Sequence, residues 1–468
     1  MLQLLNDRSV TGQLGALACL RYWSPFIESS FLAGQRLCEV QKNEALNALL
    51  FPLQQACSCA GLTMANLQIL SEGLSGGTKD ALKWFGKQFS EWLKALTNTY
   101  YNLPGEGLDQ YYARQKEVWR RLVVEYPEAV EQMDKEFGFH FDDGGYQLIA
   151  QNEHFVLWQI FPRGQKAAVD GKPTLIIPPQ VLGPNILAFL PDEGISYAHA
   201  FAKRGGPTFI RITKGPADNP RFYAMTGEDD ISGTLFCCQE INRRCEGQPM
   251  TLNGYCQGGF LAALAMMTGK LKGLVNALIT CVAPMDGTRS PGMASFSAML
   301  PERDLKYATT KEALVSAALM SWVYRIKSIG KENPLSAMFR DLDMVAEGGI
   351  GKKAATLGYW LVHEPVDLSV GVTQLSFKSY THPPYDDGTL SFTLFNNLLS
   401  FGSITEPWLL NYADKDDLVE EEAACAPADY ISEDTLELKK VVGGHTKLVT
   451  VDFSDPAIQY IINWHLRH

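Results

Sequence analysis

The segment PMTLNGYCQGG, residues 249–259, followed by FLAALAMMTG, constrains the chain more than any other. A strand-like apolar run ends in Gly254-Tyr255-Cys256-Gln257-Gly258, and an Ala-rich helix begins at once. This is the pattern of a nucleophile elbow, with cysteine where serine is commoner. So sharp a strand-to-helix turn forces its central residue into a strained backbone conformation that only small neighbours permit, which accounts for Gly254 and Gly258. The sulfur then stands at a helix N-terminus, where the helix dipole and free N–H groups favour a thiolate and an oxyanion. With 40 Gly and 10 Cys in the chain, Gly-x-Cys-x-Gly is expected by chance roughly 0.07 times, and its strand and helix context narrows it further.

The surrounding sequence repeats strand, loop and helix. Short β-branched apolar runs at 154–161, 173–178, 207–212, 249–254, 274–283, 405–412 and 435–442 predict strands. Between and after them, 192–204, 226–245, 257–269, 419–429 and 456–467 predict helices. The fold class read from this rhythm is α/β: a mainly parallel sheet covered on both faces, with its ligand crevice at the carboxyl ends of the strands. That core is expected over 146–285 and 403–468. The intervening 286–402 breaks the rhythm, is predicted helical at 302–330 and 335–347, and is long enough for a cap or lid. Residues 1–145 are expected to form a helical N-terminal domain, with 109–135 one of its helices and FDDGGYQ, 141–147, a linker. Leu82, Phe85, Phe89, Leu93 and Leu96 recur at helical spacing and predict a face packed on the neighbouring domain.

Composition removes other classes. The 468 residues carry 41 Lys+Arg against 52 Asp+Glu, a net charge of −11, which argues against a nucleic-acid partner that needs a basic face. At 46% hydrophobic residues the chain can bury a sizeable core without staples. Ten cysteines are too sparse for a disulfide scaffold and read as reduced thiols of a cytoplasmic protein. Cys57-Ser-Cys59 and Cys237-Cys238 lack supporting His or Cys, so no metal is expected. No apolar run approaches the roughly 18 residues of a transmembrane segment, and the opening residues do not read as a signal peptide.

A cysteine nucleophile needs a base, and the base an orienting acid, in the chain order nucleophile, acid, histidine. Of eight histidines, His445 in Gly443-Gly444-His445 alone follows the last predicted strand directly. WLLNYADKDDLV offers Asp416, before Leu418-Val419, as the acid, with Asp414 second. For the oxyanion hole, the backbone N–H groups of Gln257 and of Val181, in Pro178-Pro179-Gln180-Val181-Leu182-Gly183, are the expected donors.

GYCQGG resembles the cysteine lipase box of polyhydroxyalkanoate synthases, members of the α/β-hydrolase superfamily. NEHFVLWQIFP and the long run from LIIPPQVLGPNILAFL to PTFIRI are similar to that family's entry strand and proline loop, and the likeness spans roughly 148–285 and 405–468. The resemblance implies Cys256 as acyl-carrying nucleophile, His445 as general base and Asp416 as its partner. It also implies an acyltransferase that polymerises 3-hydroxyacyl-coenzyme A, with no cofactor beyond the coenzyme A thioester substrate. A polyester granule surface and a second copy of the chain are the partners it suggests. Asp417 stands where the family usually has His and Glu420 where Pro is usual, and 286–402 lacks the family's Asn-Asp-Leu-Ile-Trp and Trp-Asn-x-Asp strings. The alternatives carried forward are a thioesterase or esterase with a cysteine triad, and a non-catalytic granule-associated relative.

Overall fold

The computed structural model describes residues 9–24, 52–181, 183–204, 206–291, 314–315, 334–364 and 366–468. The chain divides into two compact units, Met1–Lys135 with Trp322–Val362, and Glu136–Ser321 with His363–His468. The stretch 286–402, expected as one cap, is thus shared between them.

The first unit is helical among its described residues: α1 (9–24), α2 (Pro52–Tyr100), α3 (Leu108–Arg120), α4 (Tyr126–Glu131), α8 (Pro334–Glu347) and most of α9 (Lys352–His363). Its core gathers Trp84, Val118, Leu122, Tyr126, Met338, Phe339 and Leu342. The predicted helix 109–135 is interrupted by a π turn at Arg121–Glu125. On α2 the expected buried stripe is turned outward, with Leu82 68% and Phe89 60% exposed. The neighbouring face, carrying Trp84 and Ala95, is buried instead, because Trp84 stacks edge-on with Trp119 and tilts against Phe339.

The second unit holds an eight-stranded sheet. Its strands are β1 (Tyr146–Gln151), β2 (Phe155–Ile160), β3 (Thr174–Ile177), β4 (Thr208–Thr213), β5 (Met250–Tyr255), β6 (Val275–Cys281), β11 (Trp408–Ala413) and β12 (Leu436–Val441). They lie in the order β1-β2-β4-β3-β5-β6-β11-β12. β1 and β2 run antiparallel to their neighbours, and the pairs from β4 to β12 are parallel. All six residues of β5 are buried, as a central strand covered on both faces requires. Burying a side chain such as Leu252 or Ile279 there stabilises the fold by roughly 1.5–3 kcal/mol.

Helices α5 (Tyr197–Lys203), α6 (Gly227–Arg244), α7 (Gln257–Met267), α10 (Val370–Thr381), α11 (Glu421–Ala424) and α12 (Pro456–Arg467) complete the unit. α6 starts at Thr226, whose hydroxyl accepts from the Asp229 amide while the Asp229 carboxylate accepts from the Thr226 amide. α7 is buried on every side, which its Gly, Ala, Leu and Met composition allows.

Four local expectations change. FDDGGYQ is not all linker, since β1 begins at Tyr146. The predicted helix 192–204 keeps only its second half, because Gly194 at φ 76° ends a short turn of 3₁₀ helix. Pro427 likewise divides 419–429 into α11 and a 3₁₀ turn. The predicted helix 302–330 lies outside the described residues, except for Leu314–Val315, which forms strand β7 against β8 (Leu368–Ser369). Near the end of the insertion, β9 (Thr389–Leu394) and β10 (Asn397–Ser400) form a hairpin around Phe395 and Asn396, both at positive φ.

This strand order, with an elbow after β5 and candidate acid and histidine loops after β11 and β12, is the α/β-hydrolase fold. No described helix is long and apolar enough to cross a membrane.

Candidate active site

Cys256 sits between β5 and α7 with φ 53° and ψ −126°, a conformation disfavoured for any residue with a Cβ. The surrounding backbone holds it there. Its amide donates to the Cys281 carbonyl at 2.8 Å, and its carbonyl accepts from the Gly259 amide at 2.9 Å. A Cβ on Gly254 would stand 2.4 Å from the Gly259 Cα, and one on Gly258 would stand 2.4 Å from the carbonyl oxygens of Ile177 and Pro178. Gly259, not singled out from the sequence, is confined as well, since its Cβ would meet the Ala283 Cβ at 2.7 Å. Beside the elbow, Val282 also has positive φ, 46°, and donates its amide to the Asn411 carbonyl at 2.8 Å.

The loops after β11 and β12 bring Asp416 and His445 together. His445 Nδ1 lies 2.8 Å from Asp416 Oδ2. The other carboxylate oxygen accepts the amides of Leu418 and Val419, each at 2.9 Å, so the fully buried carboxylate is held by three hydrogen bonds. Those bonds explain the apolar pair after the acid: the chain must turn back over its own aspartate, as in an Asx turn. Asp414 does a different job, accepting the Gly443 amide at 2.9 Å and so tying the two loops together. The His445 carbonyl accepts from the Tyr255 hydroxyl at 2.8 Å, which anchors the histidine loop to the residue just before Cys256.

The Cys256 side chain is near enough to the imidazole to act on it electrostatically. With Nδ1 committed to Asp416, Nε2 is the ring nitrogen left to take or give a proton. Burial alone would drag the imidazole toward neutrality. The charge of Asp416, reinforced by the nearby Cys256 sulfur and by the hydrogen bond to Asp416, outweighs it and carries His445 well above the ordinary histidine range. Away from the site, burial pushes the Cys237 and Cys281 thiols up to about 12 and holds them neutral.

Of the two expected oxyanion donors, Gln257 is the first residue of α7, directly after Cys256. Val181 is buried in the loop after β3, and that loop touches the elbow through the close approach of Gly258 to Ile177 and Pro178. Sequence reasoning missed a buried polar layer beneath the site. The Tyr197 hydroxyl donates to Asn253 Oδ1 at 3.0 Å and lies 3.3 Å from the Cys281 sulfur, while Asn411 donates to the Thr280 carbonyl at 3.3 Å. The available signal was Asn253 and Asn411 themselves, two amides inside mostly apolar central strands. Among the described residues no group of three or more His, Cys, Asp or Glu could hold a metal ion.

No protein-family model matches the chain, and no curated protein sequence is similar to it. Solved structures do align with it. A soluble variant of monoglyceride lipase from Saccharomyces cerevisiae aligns at 11% identity over 69% of this chain and 94% of that one, with a TM-score of 0.42. An alpha/beta fold family hydrolase from Bacillus anthracis str. Sterne aligns at 12% identity over 69% and 99%, TM-score 0.39. The thioesterase domain from the curacin biosynthetic pathway aligns at 11% identity over 69% and 98%, TM-score 0.37. At such values the fold assignment rests on the strand order and the elbow of this chain, which make it an α/β-hydrolase-fold protein.

Proposed function

We propose that the chain is an acyltransferase that takes a 3-hydroxyacyl group from a coenzyme A thioester onto Cys256 and passes it to the hydroxyl of another unit, extending a polyhydroxyalkanoate. The observation that carries this reading is the hydrogen-bonded pair of Asp416 and His445, with Cys256 held at a strained elbow and acting electrostatically on the same imidazole. The likeness of the GYCQGG segment to polyhydroxyalkanoate synthases supplies the substrate class.

In this mechanism His445 takes the Cys256 proton, and Asp416 fixes the imidazole tautomer and stabilises the imidazolium. The thiolate attacks the thioester carbonyl, and the α7 amides stabilise the tetrahedral oxyanion. The bond to coenzyme A sulfur breaks, and the departing thiolate takes the proton from His445. Exchange of one thioester for another is nearly isoenergetic, so the acyl group stays activated. In the second half His445 removes the proton of an incoming hydroxyl, that oxygen forms the ester, and Cys256 leaves as the thiolate and is reprotonated. A cysteine suits this cycle because it is both a good nucleophile and a good leaving group.

The test is to incubate the protein with a 3-hydroxyacyl-coenzyme A and follow thiol release, insoluble polymer and free acid together. Thiol release with polymer is expected. Free acid without polymer makes the chain a thioesterase instead, and no thiol release from any acyl thioester rejects both.

A further inference from the structure

The corner at the end of β6 holds the elbow on both sides of the nucleophile. The Cys281 carbonyl accepts the Cys256 amide at 2.8 Å, and the Ala283 Cβ stands 2.7 Å from where a Cβ on Gly259 would lie. Between them Val282 sits at φ 46°. A β-branched residue in that region is a backbone outlier, and such outliers persist only where the surroundings over-determine them. Here the surroundings include Asn411 on β11. Its carbonyl accepts the Val282 amide at 2.8 Å, while its Nδ2 donates to the Thr280 carbonyl at 3.3 Å and lies 3.5 Å from the Cys281 sulfur. One residue thus bonds to three successive positions of the corner.

For stability alone Asn411 is a poor choice. It is fully buried, and its Oδ1 has no hydrogen-bond partner among the described residues. A buried amide left half satisfied stabilises a core less than an apolar side chain of the same shape, such as the neighbouring Leu410. Its place in the fold is informative. β11 releases the loop that carries Asp416, so Asn411 ties the strand bearing the acid to the corner that holds the amide of the nucleophile.

We infer that Asn411 is a positioning residue, whose side-chain amide fixes the Thr280–Val282 corner and through it sets Cys256 against the Asp416–His445 pair. It acts through Cys281 and not on the reacting sulfur. The inference rests on Cys256 as the nucleophile and deepens the acyl-transfer reading. A misplacement of about 1 Å at a reacting group costs up to about 10²-fold in rate, so loosening this corner is expected to slow the chemistry while the fold stands.

The experiment measures alkylation of Cys256 by iodoacetamide, located by peptide mapping, in the wild type, Asn411→Leu and Asn411→Asp. Asn411→Leu keeps the volume and removes the donor. It is expected to slow alkylation about 10–100-fold, with a urea midpoint equal to or above that of the wild type. Asn411→Asp separates positioning from packing. The ionisable groups of this buried layer, the Tyr197 hydroxyl and the Cys281 thiol, are held neutral by burial. A neutral carboxyl among them donates to the Thr280 carbonyl in place of Nδ2, and an ionised one repels it. The alkylation rate of Asn411→Asp relative to wild type is therefore expected to fall at least about tenfold between about pH 5 and pH 9, with unchanged circular dichroism. Asn411→Leu reacting within about twofold of wild type, or slowed only in proportion to its unfolded fraction, overturns the inference. So does an Asn411→Asp ratio that stays flat with pH or falls only with the fold signal. Asn411→Asp decides alone should the leucine variant not fold, and if neither folds the amide is structural and the inference is overturned.

Acylation by a 3-hydroxyacyl-coenzyme A is measured on the same proteins, and the loss is expected in kcat, with KM within about twofold of wild type. A loss carried by KM instead makes Asn411 a determinant of substrate binding and overturns the inference. If no thioester acylates the wild type, the acyl-transfer reading fails by itself, and the alkylation rates still decide the part played by Asn411.

Discussion

His445 and Asp416, 29 residues apart in sequence, meet at 2.8 Å between Nδ1 and Oδ2, because β11 and β12 run parallel and release their loops at the same edge of the sheet. The pairing sets Leu410 beside Leu438 and Ala413 beside Val441. Shifting it by one residue would turn the outer strand's side chains to the opposite face and move the histidine loop along the edge.

The first prediction concerns the acid. Replacing Asp416 with Asn removes the charge that outweighs burial at His445, and is expected to lower the rate of Cys256 acylation about 10²–10⁴-fold. Asp414→Asn, which touches only the Gly443 amide, is expected to cost about 1 kcal/mol of stability and far less rate. Stopped-flow thiol release on the two variants separates the roles.

The second concerns pH. His445 has a folded-state pKa raised above its unfolded value of about 6.5, so its stabilising contribution is fully present below about pH 6.5 and is lost as pH rises through the higher folded value. NMR titration of the His445 ring should give a midpoint above that of free histidine, falling in Asp416→Asn and in Cys256→Ala. A midpoint unchanged in both variants would contradict the assigned causes.

The third tests the elbow's sterics. Gly258→Ala forces a methyl against two carbonyl oxygens and is expected to cost about 2–4 kcal/mol. Gly86→Ala, on α2 with open space around it, is expected to stabilise by about 0.5–1 kcal/mol through helix propensity. Urea unfolding of both variants reads the contrast.

The fourth addresses the ion pair of Arg211 and Asp230, both almost fully buried. Arg211→Met alone strands the Asp230 carboxylate and is expected to cost about 3–5 kcal/mol, whereas Arg211→Met with Asp230→Leu should recover most of that loss. Thermal unfolding of the single and double variants checks it.

Much of this architecture was legible before any coordinates. The elbow is a local motif, so its strand, turn and helix follow from six or seven adjacent residues. Asp416 and His445 were readable because each follows a strand whose apolar run is unambiguous. What escaped was whatever depends on distant packing. β1 was hidden because Tyr146–Gln151 is an edge strand with exposed positions and a glycine-rich start. The α2 stripe misled because Trp84, one step round the helix, found Trp119 and Phe339 as partners far along the chain. Asn253 and Asn411 gained their meaning only when Tyr197 and Cys281 were placed between them.

The most direct test of the central claim is intact-protein mass spectrometry after brief exposure to a 3-hydroxyacyl-coenzyme A, followed by peptide mapping. The account predicts one added acyl group on Cys256, released by hydroxylamine and absent from Cys256→Ala. An acyl group that maps to another residue, or full turnover by Cys256→Ala, would contradict it.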